Sequence, residues 1–139
     1  MLQYLMIILF SIALITGNFW LYGGGFSNGW DSSLKVLPYF NLKTDMDDFV
    51  KEQKINPEEV RTKFPLYHDR NHTYLTNEDF HYTEMLSDSL GKFNYVLFSN
   101  LSNQFTVAEK AKLNSTWILW KELSQGEVYL RLFKNPNQK

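Results

Sequence analysis

Apolar residues run almost unbroken over residues 1–22, and the first charged side chain is Asp31. At about 1.5 Å of rise per residue, such a run covers a hydrocarbon core of about 30 Å. It therefore predicts a membrane-spanning helix over residues 1–22. Trp20 and Tyr22 end the run with the amphipathic rings that settle at headgroup level, and Gly23, Gly24 and Gly25 then release the chain from the helix. An export signal would open on Lys or Arg and stop at a small-residue cleavage site; the first ten residues contain no basic side chain.

Residues 23–43 mix turn formers with Leu34, Val36, Leu37, Tyr39 and Phe40, which predicts a packed connector. Thr44 followed by Asp47 reads as a helix cap with an acidic first turn, and Met46, Phe49 and Val50 share one face of a helix ending near Ile55. Asn56 and Pro57 mark a second start, before a short strand over residues 60–64 that Pro65 closes. Residues 66–90 keep no period and predict an irregular excursion with at most one short helix over residues 82–90.

The pattern returns at "FNYVLF", whose near-continuous apolar character over residues 93–98 marks a central strand covered on both faces. Thr106 and Glu109 form a capping box ahead of Val107, Ala108, Ala111 and Leu113. "WILWKEL" and "VYLRLF" flank Ser124, Gln125 and Gly126 as a hairpin, with Val128, Leu130 and Leu132 on one face. Strand, helix and strand in that order predict a parallel pair with a right-handed crossover, to which the last hairpin adds an antiparallel edge. The expected fold class is α/β: one N-terminal transmembrane helix, then a small mixed α/β sheet domain over residues 44–134 and a polar tail over residues 135–139.

Charge narrows the function. The 14 Lys and Arg nearly balance the 15 Asp and Glu, so the chain lacks the basic field that neutralises nucleic-acid phosphates, and nucleic acid is not an expected partner. The absence of cysteine removes disulfides, thiolate nucleophiles and the common structural zinc sites. Near the expected membrane helix only Lys35 is basic, and Asp31 offsets it, so charge bias barely orients the chain. A helix with no charged flank before it fits the last helix of a multi-pass protein, which makes the chain read as a terminal piece.

Candidate chemistry is sparse. His68, His72 and His81 cluster with Asp69, Glu78 and Asp79, and His68 and His72 are weak metal-ligand candidates at i, i+4. The proline before them and the turn residues around them favour a solvated loop over a helix. Asp45, Asp47 and Asp48 are accounted for by helix capping. Ser99, Ser102 and Ser124 lack nucleophile-elbow glycines, and the three glycines at 23–25 follow an apolar run rather than a strand, so neither a hydrolase nor a phosphate loop is supported. Glycosylation triplets begin at Asn71, Asn100 and Asn114. Trp30, Trp117 and Trp120 are the candidate ligand surface, since exposed aromatic faces stack on sugars. No catalytic residue and no cofactor is expected.

The order of pieces, from the apolar helix through "GWDSSLKVLPYF", "DMDDFVKEQKI", "PEEVRTKFP" and "FNYVLFSN" to "WKELSQGEVYLRLFKN", resembles the C-terminal extracytoplasmic tail of bacterial polytopic glycosyltransferases of the protein-mannosyltransferase-like superfamily, which use lipid-linked sugars. In that family the catalytic acidic residue and the lipid-sugar contacts lie in the membrane-embedded body and its first external loop, to which nothing here corresponds. The resemblance implies a single-pass, membrane-tethered extracytoplasmic accessory domain, noncatalytic alone, whose partners are the lipid bilayer, a multi-pass membrane protein and a glycan. The alternative from the residues is a stand-alone envelope protein that binds a glycan, peptide or protein through an aromatic-rich surface. A third reading, a small enzyme built on the loop from His68 to Asp79, requires those side chains to converge in a pocket.

Overall fold

The computed structural model describes residues 2–17, 36–67, 80–86, 90, 92–102 and 104–137, which form three α-helices and one five-stranded sheet. The first helix, α1 (Leu2–Gly17), has 16 residues, a length of about 24 Å at the standard rise. The helix expected over residues 1–22 is thus shorter where it is described, and no helix among the described residues is long and apolar enough to cross a membrane. Trp20, Tyr22 and the three glycines lie outside the described residues. Every side chain from Gln3 to Thr16 is exposed.

Helix α2 (Pro38–Glu52) begins at Pro38, not at Thr44. Proline suits the first helical position because its missing N–H would have had no partner there and its φ is already helical. Thr44 is consequently interior, its hydroxyl donating to the Phe40 carbonyl at 3.1 Å, and the first turn holds no acidic residue. Tyr39, Leu42, Met46 and Val50 recur at helical spacing and are buried, each worth about 1.5–3 kcal/mol on full burial. The helix closes in a Schellman turn: Ile55 N–H donates to Val50 O at 3.1 Å and Lys54 N–H to Lys51 O at 3.0 Å. Lys54 takes the left-handed φ of 55° that this turn requires.

Asn56 then caps a short 3-10 turn (Pro57–Glu59), its side chain accepting from Glu58 N–H at 3.1 Å. The strands are β1 (Val60–Thr62), β2 (Thr83–Glu84), β3 (Tyr95–Ser99), β4 (Ile118–Gln125) and β5 (Val128–Lys134), with α3 (Val107–Thr116) between β3 and β4. Strand β2 stands where a short helix was the expectation. Its two residues are too few to show an alternating pattern, and they gain strand geometry only by pairing with β1.

The sheet order is β2-β1-β3-β5-β4. Strand β1 runs parallel to β2 and β3, whereas β5 is antiparallel to both β3 and β4. The expected adjacent parallel pair of β3 and β4 is therefore absent. They run the same way, but β5 folds back between them, leaving β4 as the edge. Burial explains the order: β5 is buried at four of its positions, and β4 at none.

Alternation along the central strands sends side chains to two cores. Leu97, Leu130 and Leu132 join Tyr39, Leu42, Met46 and Val50 under α2. Val96, Phe98 and Phe133 join Leu113 and Trp117 under α3. The α2 side also encloses charge: Lys43 Nζ lies 2.9 Å from Asp47 Oδ2, and the Tyr82 hydroxyl donates to Asp47 Oδ1 at 2.6 Å. Asp47 is thus the anchor of a buried network and not a helix cap.

Candidate functional site

The side of β5 that faces away from α2 carries Tyr129, Arg131 and Phe133 at alternate positions, and Phe98 of β3 pairs with Arg131 across the ladder. Above them α3 brings Lys110, Leu113 and Asn114, which share one helical face at i, i+3 and i+4. These seven residues line a shallow, half-open groove of about 60 Å³. Its position follows from two periods, 3.6 in the helix and 2 in the strand, brought together by the capping box that starts α3 at Thr106.

The groove has an aromatic floor and a positive rim. Phe98 is held edge-on against Phe105 with centroids 5.0 Å apart, and the Phe98 and Tyr129 rings are inclined at 51° with centroids 6.0 Å apart. Lys110 Nζ lies 5.8 Å from the Phe98 centroid and the Arg131 guanidinium carbon 4.5 Å from that of Tyr129. Arg131 Nε donates to Glu122 Oε2 at 2.8 Å. Among the described residues, the Lys110 ammonium makes no hydrogen bond, and the terminal nitrogens of Arg131 make none. No carboxylate lines the groove. An exposed cation–π contact is worth about 0.5–1 kcal/mol, and a hydrogen bond to a charged group about 1.5–3 kcal/mol.

A second, polar crevice of about 290 Å³ is lined by Glu58, Glu59, Arg61, Lys92, Phe93 and Asn94. Arg61 lies over the Phe93 ring at 4.8 Å, and its buried Nε has no hydrogen-bond partner. Asn94 Nδ2 donates to Glu59 Oε2 at 2.9 Å. Two acids facing two bases give this crevice no net sign with which to select a ligand.

Lys63 and Glu109 tie β1 to α3, with Nζ 2.8 and 2.9 Å from the two carboxylate oxygens and 3.0 Å from Gln104 O. Burial alone would raise the Glu109 carboxyl. The hydrogen bond from Lys63 and those from the Thr106 backbone and hydroxyl outweigh it and hold the group below its ordinary value.

The residues singled out by sequence do not assemble. Trp30, His68, His72, Asp69, Glu78 and Asp79 lie outside the described residues, and His81 is exposed ahead of β2. Trp117 is buried under α3, whereas Trp120 belongs to the α2 side of the sheet. Tyr95 stacks on Trp120 at 5.4 Å, Phe49 meets it edge-on at 6.0 Å, and Lys134 lies 5.4 Å from its centroid. The two tryptophans thus form no common platform. Ser99 and Ser102 are buried, and Ser124 is exposed on β4. Asn100 clamps the hairpin, its Nδ2 donating to Glu127 O at 2.7 Å and its Oδ1 accepting from Tyr129 N–H at 2.9 Å. A glycan on that nitrogen would disrupt the clamp. Among the described residues no three His, Asp or Glu side chains gather in a metal-binding arrangement.

Sequence reasoning missed the groove because Lys110, Asn114 and Arg131 look like ordinary solvent-facing side chains when each element is taken alone. The available signal was the second face of β5: Tyr129, Arg131 and Phe133 alternate as regularly as Val128, Leu130 and Leu132. In comparisons with known proteins, the chain matches no family model, no curated protein and no solved structure.

Proposed function

We propose that the chain is a membrane-tethered extracytoplasmic accessory domain associated with envelope glycosyl transfer, and that it does not transfer sugar alone. The observation that supports this is α1, an uncharged helix whose side chains from Gln3 to Thr16 are exposed on every side. A helix that is apolar all round needs an apolar medium all round. The sheet domain does not provide one, whereas a bilayer or the helices of a multi-pass membrane protein would. In sequence the apolar run continues past Gly17 to Trp20 and Tyr22, so the anchor is proposed to include them. The extracytoplasmic side and the link to lipid-linked sugars rest on the resemblance in the order of sequence pieces. The catalytic partner is then a separate multi-pass membrane glycosyltransferase.

The test is protease protection on intact cells with a tag after Lys139, followed by detergent purification through the tag. An external tag with a copurifying multi-pass glycosyltransferase is the expected result. A cytoplasmic tag, or a chain released from membranes by an alkaline wash, would overturn the reading.

A further inference from the structure

We infer that β4 is a docking edge for a second copy of this chain, the two copies joining by antiparallel pairing of residues 121–125 into one continuous sheet. The hairpin shows which backbone groups of this edge strand face outward. Gln125 pairs with Val128 across a two-residue turn whose first position, Gly126, takes a φ of 61°. Residues flanking such a turn exchange both hydrogen bonds, and bonded and non-bonded pairs alternate from there. Gln125 and Leu123 therefore bond to β5, whereas Ser124 and Glu122 turn their N–H and C=O groups away from it. Tyr129, opposite Ser124, obeys the same alternation: its N–H and its carbonyl bond to Asn100, not to β4. The outward groups of Glu122 and Ser124 meet no partner among the described residues. Such a row of unpaired groups is a template for another strand.

The charges on β4 specify a second copy and its register. A two-fold axis perpendicular to the sheet keeps every side chain on its own face, so one residue of β4 must sit opposite itself. Placing Lys121 or Glu122 on the axis sets like charges against each other, which destabilises a pair. Placing Ser124 there sets Glu122 against Gly126, where the strand has ended. Placing Leu123 there brings Glu122 opposite Ser124 in both directions, so that the outward groups bond and the serine hydroxyl can donate to the carboxylate. Lys121 then meets Gln125. Leu123 faces its own copy as a non-hydrogen-bonded pair, whose side chains approach most closely in a ladder. It already packs against the core under α2, so the two cores meet at the axis. The usual defences of an edge are weak here. The irregularity of β4 lies between Leu119 and Lys121, Lys121 rests over the Phe49 ring at 5.0 Å, and Glu122 is paired with Arg131. This edge belongs to the sheet domain, so the inference stands apart from the tethering proposal.

The experiment uses the full chain in detergent micelles and its lack of cysteine, which makes each introduced thiol the only one. Under a mild oxidant, Leu123→Cys should form a disulfide-linked dimer at least about tenfold faster than Ser124→Cys, because pairing makes the reaction intramolecular. A non-hydrogen-bonded pair holds its Cα atoms about 4.5 Å apart, within disulfide reach. Ser124→Cys alone and Glu122→Cys alone should both be slow, since each thiol is two residues out of register with its own copy; mixed, the two variants should cross-link to each other. Ser124→Pro removes an N–H that bonds nothing within the chain, so it should return the Leu123→Cys rate to that of Ser124→Cys without lowering the melting temperature. Equal rates for the three cysteine variants, the result of association through α1 alone, would overturn the inference. So would a Glu122→Cys rate above that of Leu123→Cys, or a Leu123→Cys rate that Ser124→Pro leaves unchanged in a folded chain. The cysteine comparison decides the matter even where the proline variant fails to fold.

Discussion

Individual side chains settle where charge is tolerated inside this small domain. Lys43, Asp47 and Tyr82 are at most 2% exposed, among apolar neighbours. Burying two charges is tolerable there because each meets the other at 2.9 Å and the phenol adds a second bond to the carboxylate. Asp47→Asn leaves Lys43 buried opposite a neutral amide, and urea unfolding should register a loss of about 3–5 kcal/mol. Tyr82→Phe keeps the ring and removes one bond to a carboxylate, for a loss of about 1–3 kcal/mol. The double change Lys43→Met/Asp47→Leu should recover most of the stability lost by Asp47→Asn, because no charge is then left unpaired. The i, i+4 spacing of Lys43 and Asp47 was legible in the sequence, but their burial was not. It depends on Tyr82, 35 residues further along the chain from Asp47. Lys54 presents the opposite case, a side chain where glycine would serve better. Its φ of 55° is a region that glycine enters freely. Lys54→Gly should raise stability by about 0.5–1 kcal/mol in the same assay, and a decrease would mean that the lysine side chain has a role the turn does not explain.

Among the elements, α3 was the most legible, because its start is written in local chemistry. Thr106 N–H donates to Glu109 Oε2 at 2.7 Å, and Glu109 N–H donates to Thr106 Oγ1 at 3.2 Å. Helix α2 shows the same signature misleading: Thr44 and Asp47 imitate a cap, whereas Pro38 and the apolar positions Tyr39 and Leu42 set the true start. The hairpin was legible from its turn and its alternation. Its insertion between β3 and β4 was not, since strand order depends on which strand can be buried on both faces. The capping box has a pH signature, because Glu109 also accepts from Lys63. Its carboxyl is held below the ordinary value in the folded state, so its ionised form contributes stability at pH above the unfolded carboxylate range, about 4.3. That contribution is lost as pH falls through the lower folded value. Glu109→Gln should therefore cost about 1–2 kcal/mol at neutral pH, and the gap to the parent chain should narrow as pH falls through that window. A gap that stays constant from pH 7 to pH 3 would show that the ionised carboxylate is not what holds β1 to α3.

The described residues divide into a sheet domain that buries most of its large apolar side chains and a helix that leaves them exposed. Helix α2 covers one face of the sheet and α3 the other, and the central strands send alternate side chains to each. Helix α1 instead presents Leu5, Met6, Ile7, Ile8, Leu9 and Phe10 to its surroundings, each more than half exposed. If α1 is an anchor that contributes nothing to the sheet core, the two properties separate on mutation. Leu9→Arg places a charge in the middle of the apolar helix, at about 2.5–3.5 kcal/mol for a position near the bilayer centre. Membrane retention, measured as the fraction sedimenting with vesicles after an alkaline wash, should fall. The near-ultraviolet circular dichroism of Tyr95, Trp117 and Trp120 and the melting temperature of the sheet domain should not change, because those side chains pack on the sheet. Retention without change would mean that α1 is not what holds the chain at the membrane. A parallel fall in melting temperature would mean instead that α1 is a structural part of the domain, and its exposed apolar surface would then have to be covered by protein rather than by lipid.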